Sequence, residues 1–323
     1  MTHYLITGGA GFIGSHLSEA LLARGDAVTV IDDLSTGRFE NIEPMTANAN
    51  FRFAVETITN EVVLDRLVSE SDMIIHLAAV VGVKLVVDSP VHTITTNING
   101  TEVVLKAARR YRVPTLLAST SEVYGKGLQL PFAEDDDVLL GATRHHRWAY
   151  AASKMVDEFL GMAYYREYGL PVALFRLFNT VGPRQVGRYG MVMPRFVGAA
   201  LTGDPLTVYG TGTQSRCFCH VQDVVRAIIA LAEEPTAAGK LYNVGTTEPI
   251  TILDLAHRVI ELTQSSSKIT FVPYKDVYPE GFEDKQRRQP DTSRLHELTG
   301  WQPEHNLDDI ILDIARWLQA RDS

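Results

Sequence analysis

Gly8-Gly9-Ala10-Gly11-Phe12-Ile13-Gly14 follows directly on the short apolar run His3 to Thr7 and opens an amphipathic stretch from Phe12 to Arg24. That order reads as strand, glycine turn, helix. Glycines in such a turn let the backbone approach a pyrophosphate, and the amino end of the helix offers it unpaired N–H groups and positive dipole charge. A second apolar run, Ala27 to Ile31, ends in Asp32-Asp33. This is about 20 residues beyond the glycines, where a carboxylate binds the hydroxyls of an adenosine ribose. A carboxylate there disfavours a 2′-phosphate, so the stretch predicts NAD rather than NADP.

Outward from this unit, strand and helix segments alternate: Phe51 to Val55, Val62 to Val68, Asp72 to Ala78, a helix around Thr101 to Arg110, then Pro114 to Ala118. The rhythm predicts an α/β fold, a Rossmann-type doubly wound parallel sheet with ligands at the carboxyl ends of its strands. His76-Leu77-Ala78-Ala79 ends the fourth strand and Ser119-Thr120-Ser121-Glu122-Val123-Tyr124-Gly125 follows the fifth, so both face the cleft. Pro171 to Phe178 makes a sixth strand, entering Asn179-Thr180-Val181-Gly182-Pro183-Arg184.

Beyond about residue 180 the strict alternation stops, and Arg184, Arg188, Arg195, Arg216, Arg287 and Arg288 are scattered through loop-like sequence. A smaller, mixed α/β C-terminal substrate lobe is expected here, with some arginines facing a diphosphate. Val221 to Glu233 and Lys240 to Val244 read as a helix and a strand returning to the first domain. The expected division is therefore residues 1–180 plus 216–245 for the NAD-binding domain, and 181–215 plus 246–323 for the lobe.

Tyr150-Ala151-Ala152-Ser153-Lys154 opens a segment with apolar Met155, Val156, Phe159, Leu160 and Ala163 at helical spacing. Tyr150 and Lys154 then lie one turn apart on one face. An ammonium beside a phenol favours the phenolate, so Tyr150 is expected to be a usable acid or base near working pH.

The chain has 323 residues, 45% of them hydrophobic, and carries a formal charge of −9. That size supports a large α/β domain plus a smaller lobe. The acidic balance, with no basic block, argues against nucleic acid and anionic membrane surfaces as partners. No apolar run approaches the ~18 residues of a membrane span, and no leader pattern precedes the first strand, so a cytoplasmic protein is expected. The two cysteines, Cys217 and Cys219, suit neither a disulfide framework nor a zinc site and are expected to be buried thiols; no metal is expected.

Taken together, the Gly8 to Gly14 loop, Asp32, His76 to Ala79, the Thr120/Tyr150/Lys154 set and Asn179 resemble the extended short-chain dehydrogenase/reductase family, specifically its nucleotide-sugar epimerases, dehydratases and decarboxylases. Carried over position by position, the resemblance implies that Gly8, Gly11, Phe12, Ile13, Gly14, Asp32, Asp33, Ile58, Leu77, Ala78, Ala79, Lys84, Tyr150 and Lys154 contact NAD, with Asn97 holding the cleft together near it. Asn179, Arg216 and Arg288 match positions that bind the nucleotide and phosphates, and Arg188 and Lys84 join them. Thr207-Val208-Tyr209-Gly210 resembles a uracil-pocket segment. Adenine recognition departs from the family pattern, because the matching run reads Glu56-Thr57-Ile58.

The chemistry so implied is removal of the sugar 4-hydroxyl proton by Tyr150, with Thr120 holding that oxygen and hydride passing to NAD. Thr120-Ser121-Glu122 looks like UDP-glucuronate decarboxylases, as do Arg147-Trp148-Ala149-Tyr150 and Arg287-Arg288-Gln289-Pro290-Asp291. Met191 departs from them, and Gly190-Met191-Val192-Met193-Pro194-Arg195 reads more like epimerases. The leading expectation is decarboxylation of UDP-glucuronate, with UDP-sugar 4-epimerisation as the alternative, then 4,6-dehydration or a non-catalytic NAD-binding protein. The family also implies a homodimer through the helices after Tyr150 and around Thr101 to Arg110.

Overall fold

The protein is described by a computed structural model covering residues 1–82, 89–127, 129–187, 191–277 and 286–321. Seven parallel strands form the central sheet. Six carry labels here: β1 (His3–Thr7), β2 (Ala27–Asp32), β3 (Phe51–Val55), β4 (Met73–His76), β5 (Thr115–Thr120) and β6 (Val172–Leu177). The seventh, Leu241–Val244, lies outside β6, and the order across the sheet is Leu241–Val244, β6, β5, β4, β1, β2, β3. The chain therefore winds one way from β1 and the other way from β4. A crevice opens at the carboxyl ends of the strands where the winding reverses. There Thr7 is in register with both Ile31 and His76.

Helices cover both faces, which is why the inner strands read as continuous apolar runs rather than alternating ones. One face packs Leu17 and Leu21 of α1 (Phe12–Ala23) with Val224, Ile228 and Leu231 of the Val221–Glu233 helix. The other packs Leu64 and Val68 of α2 (Glu61–Ser69) with Val104, Leu105 and Ala108 of the Pro90–Tyr111 helix. That last helix begins at Pro90, a full eleven residues before the expected Thr101. Its first half is rich in Thr and Asn, residues of low helix propensity that dilute the helical spacing of Val91, Ile94 and Ile98.

A second apolar core joins the Val192–Thr202, Ile252–Leu262 and Leu307–Arg321 helices through Phe196, Val197, Leu255, Val259, Ile310 and Ile314. Leu295 and Trp301, from the stretch allotted to this lobe, instead pack into the sheet's core, where the Trp301 indole donates to the Asp223 carbonyl. Among the described residues no helix is long and apolar enough to cross a membrane. Cys217 and Cys219 are buried free thiols, and burial pushes the Cys217 thiol up to about 12.

Candidate active site

A crevice of about 690 Å³ runs unbroken from the glycine turn to Arg288. Its first half is built from backbone. Gly8 has φ +72°, and a Cβ there would stand 2.9 Å from the Ala78 backbone. Only glycine satisfies both demands. Gly11 caps α1 without a side-chain bond, so the first-turn N–H groups meet the crevice uncovered by a side chain. Asp32 accepts from the amides of Ala10 at 3.0 Å and Leu34 at 2.9 Å, which fixes its carboxylate at the rim; burial raises its pKa. Asp33, Ile58 and Leu77–Ala79 line the same half. A dinucleotide fits this cradle: a pyrophosphate needs the bare glycine backbone, and an adenosine ribose needs a fixed acceptor.

Asn97 stands behind the wall rather than in it. Its side chain accepts from the Val80 amide at 2.8 Å and donates to Ser153 at 3.0 Å, so it ties the β4 loop to the helix Trp148–Tyr168. Glu56 turns its carboxylate to its own loop, accepting from the Thr57 amide and the Asn60 side chain. Lys84 and Arg188 lie outside the described residues.

At the centre, Thr120 ends β5 and its hydroxyl caps the single turn Ser121–Tyr124, accepting from the Glu122 amide at 3.2 Å. That turn is clamped from below. Arg176 on β6 makes a two-pronged bond to Glu158 at 2.9 and 2.7 Å and lies 4.4 Å over the Tyr124 ring. The Tyr124 hydroxyl donates to Asn243 at 2.7 Å. Ser121 and Glu122 therefore project into the crevice from a rigid base.

Tyr150 and Lys154 line the crevice from one face of their helix, as their spacing requires. Their electrostatics differ from expectation. Lys154 is bonded to Asp157 at 2.7 Å, both side chains almost wholly buried, so its charge faces an opposite one at close range. Burial pushes the Tyr150 phenol above its ordinary value, the Glu122 and Asp157 carboxylates push the same way, and a bond from Thr120 opposes them. In the chain alone the balance favours the phenol over the phenolate. Behind it His76 is neutral, lowered to about 3 by burial and the Lys154 charge, and its ring bonds Thr7 at 2.7 Å and Thr101 at 3.2 Å.

In the second half Glu122 meets two guanidinium groups, Arg288 at 2.5 Å and Arg147 at 3.3 Å. Arg147 was not among the expected site residues. Its distance of three positions from Tyr150 puts it one turn away on the same side, a signal present in the sequence. Asn179 donates to the Cys217 carbonyl at 3.0 Å and lines the crevice with Arg216. Tyr209 faces the crevice under Arg195, 4.8 Å from its ring centre, but Val208 does not. Residues 206–209 form a strand paired with Ile269–Val272, so neighbours point oppositely. Val208 is fully buried in the lobe core and Thr207 takes the crevice position.

The sequence matches the family described as GDP-mannose 4,6 dehydratase over residues 5–314. It is 43% identical to a UDP-N-acetyl-alpha-D-glucosaminuronate decarboxylase of Bacillus cytotoxicus over 98% of this chain and 97% of that protein. It is 39% identical to UDP-glucuronic acid decarboxylase 2 of Arabidopsis thaliana over 94% of this chain, spanning 65% of that protein's length. Its fold superposes with a TM-score of 0.88 on a UDP-glucuronic acid 4-epimerase from Bacillus cereus solved with UDP-glucuronic acid and NAD, at 28% identity and covering 99% of both chains. With the glycine cradle, the Thr120/Tyr150/Lys154 centre and these matches in hand, the chain belongs to the nucleotide-sugar epimerase, dehydratase and decarboxylase branch of the extended short-chain dehydrogenase/reductases.

Proposed function

We propose that this protein is an NAD-dependent decarboxylase of a UDP-hexuronate, with UDP-glucuronate as the leading substrate. The observation that carries this is Glu122 between Arg147 and Arg288, beside Tyr150 and Thr120. Two guanidinium groups that converge on a carboxylate at the crevice suit a ligand that brings a carboxylate of its own, which a neutral hexose does not.

NAD, when bound in the glycine cradle, would supply the hydride acceptor and donor for C4 of the sugar. Tyr150 takes the 4-hydroxyl proton and Thr120 holds that oxygen. The resulting 4-ketone makes the C6 carboxylate part of a β-keto acid. Loss of carbon dioxide leaves the electron pair on the C5–C4–O unit, and a proton is delivered to C5. Arg288 and Arg147 orient the departing carboxylate, and Glu122 with Ser121 positions the proton donor. Asn179, Arg216 and Tyr209 hold the nucleotide and its phosphates. Residues 1–180 plus 216–245 would carry the cofactor and 181–215 plus 246–323 the sugar nucleotide.

A dimer is supported by exposed Val91, Ile94, Phe159, Tyr165 and Tyr168 on the two long helices Pro90–Tyr111 and Trp148–Tyr168. Buried free thiols support a reducing, cytoplasmic setting. The test is incubation with NAD and either UDP-glucuronate or UDP-N-acetylglucosaminuronate, followed by mass spectrometry of the sugar nucleotides. Loss of the mass of carbon dioxide is expected, and preference between the two acids identifies the C2 substituent. An unchanged mass with a new C4 epimer would replace this reading with 4-epimerisation, which the similarity to the Bacillus cereus epimerase keeps as the second reading.

A further inference from the structure

The Tyr150–Lys154 pair has a third member. Asp157 lies three residues beyond Lys154 on the inner face of the same helix, and its carboxylate accepts from the lysine ammonium at 2.7 Å. The two side chains are 2% and 3% exposed. Lys154 reaches the crevice, but Asp157 is not among the residues that line it. The carboxylate therefore grips the ammonium from behind, leaving the remaining N–H donors of Lys154 for the crevice. Glu158, the neighbouring acid, is already occupied by Arg176 and Ser119.

We propose that Asp157 is a positioning residue for the catalytic pair: its carboxylate, bonded to the Lys154 ammonium at 2.7 Å, anchors that lysine toward the crevice and sets the charge that Tyr150 meets. The inference rests on the reading of Tyr150 as the acid–base residue. The charged and titratable groups around the pair come from every element that packs there. Glu122 follows β5, Asp157 and Glu158 share the helix, and His76 ends β4 and is neutral. Arg147 and Arg288 pair with Glu122. Of these, Asp157 is the one bonded to Lys154 itself. With the ammonium so compensated, the phenol keeps its proton in the chain alone, and the cationic ring of NAD, when bound, would supply charge that favours its release.

The test uses the unloaded protein and needs no turnover. Ultraviolet difference spectra report tyrosinate as the pH is raised, and subtraction of Tyr150→Phe isolates the one phenol. In the native chain the Tyr150 signal should appear only above pH 10, its unperturbed midpoint. In Asp157→Asn it should move down by about one pH unit or more, the size of a buried opposite-charge effect. Asp157→Glu, which keeps the charge, should titrate like the native chain. A native midpoint near neutrality overturns the proposal without any Asp157 variant, and so does a folded Asp157→Asn protein with an unmoved midpoint. Neither result touches the decarboxylation test, whose failure would instead appear as an unchanged product mass.

Discussion

At the cofactor end of the crevice, Gly8 abuts the Ala78 backbone and Asp32 is bonded to two main-chain amides, whereas at the substrate end Glu122 is gripped by guanidinium groups from two distant segments. The first arrangement cannot change without moving a strand end. The second can exchange one carboxylate for another by rotating side chains. A ligand shared by many enzymes would thus meet a fixed backbone surface, and a substrate-specific group would meet long side chains with rotatable bonds. Between them lie Tyr150 and the buried Lys154–Asp157 pair, which belong to neither kind.

This contrast can be broken at several points. The largest effect is expected at the centre: Tyr150→Phe should lower kcat by about 10²–10⁴-fold while NAD still binds, read by single-turnover kinetics and calorimetry. His76 tests the rigid floor through acid stability. Its folded pKa of about 3 lies below the ordinary 6.5, so the unfolded chain takes up the proton first. The contribution is complete above pH 6.5 and is lost as pH falls toward 3, a change on the order of 4 kcal/mol. Urea unfolding at a series of pH values should show that slope, and His76→Gln should flatten it.

At the substrate end, Arg288→Gln removes one partner of a largely buried charge pair. It should weaken kcat/KM for a hexuronate by about 2–4 kcal/mol, with much less effect on NAD affinity. Gly8→Ala should do the reverse. The left-handed φ and the Ala78 contact predict a loss of about 1–2 kcal/mol in NAD binding with substrate affinity of the loaded enzyme kept. The smallest effect is expected at Arg287, which is exposed, so Arg287→Gln should stay within about 0.5 kcal/mol in stability. An Arg287 effect as large as that of Arg288 would erase the distinction between the two arginines.

Legibility in the sequence followed the same line. The glycine turn, the acidic end of β2 and the strand–helix rhythm were readable because each is a contiguous pattern whose backbone conformation is set locally. The helix starting at Pro90 is plain in sequence only in its second half, because Thr and Asn dilute the Val91, Ile94 and Ile98 spacing of its first turns. In the helix Trp148–Tyr168 periodicity gave the helix but not its orientation. The buried side carries Lys154 and Asp157, and apolar Phe159 is 69% exposed. A period reveals that one face differs from another, not which face the rest of the protein covers.

By itself the sequence determined the fold class and that the glycine turn, Thr120, Tyr150 and Lys154 meet at one crevice, because these follow from spacing along one strand end, one turn or one helix. Only the tertiary structure decided that Arg288, already singled out by the resemblance, pairs with Glu122, that Arg147 completes the trio, and that Thr207 rather than Val208 faces the crevice. It also decided that Lys154 is compensated by Asp157. Each depends on which way a side chain points and how deeply it is buried. Both are set by long-range packing, and at low dielectric that packing decides whether a charge acts on its neighbour or is cancelled by another.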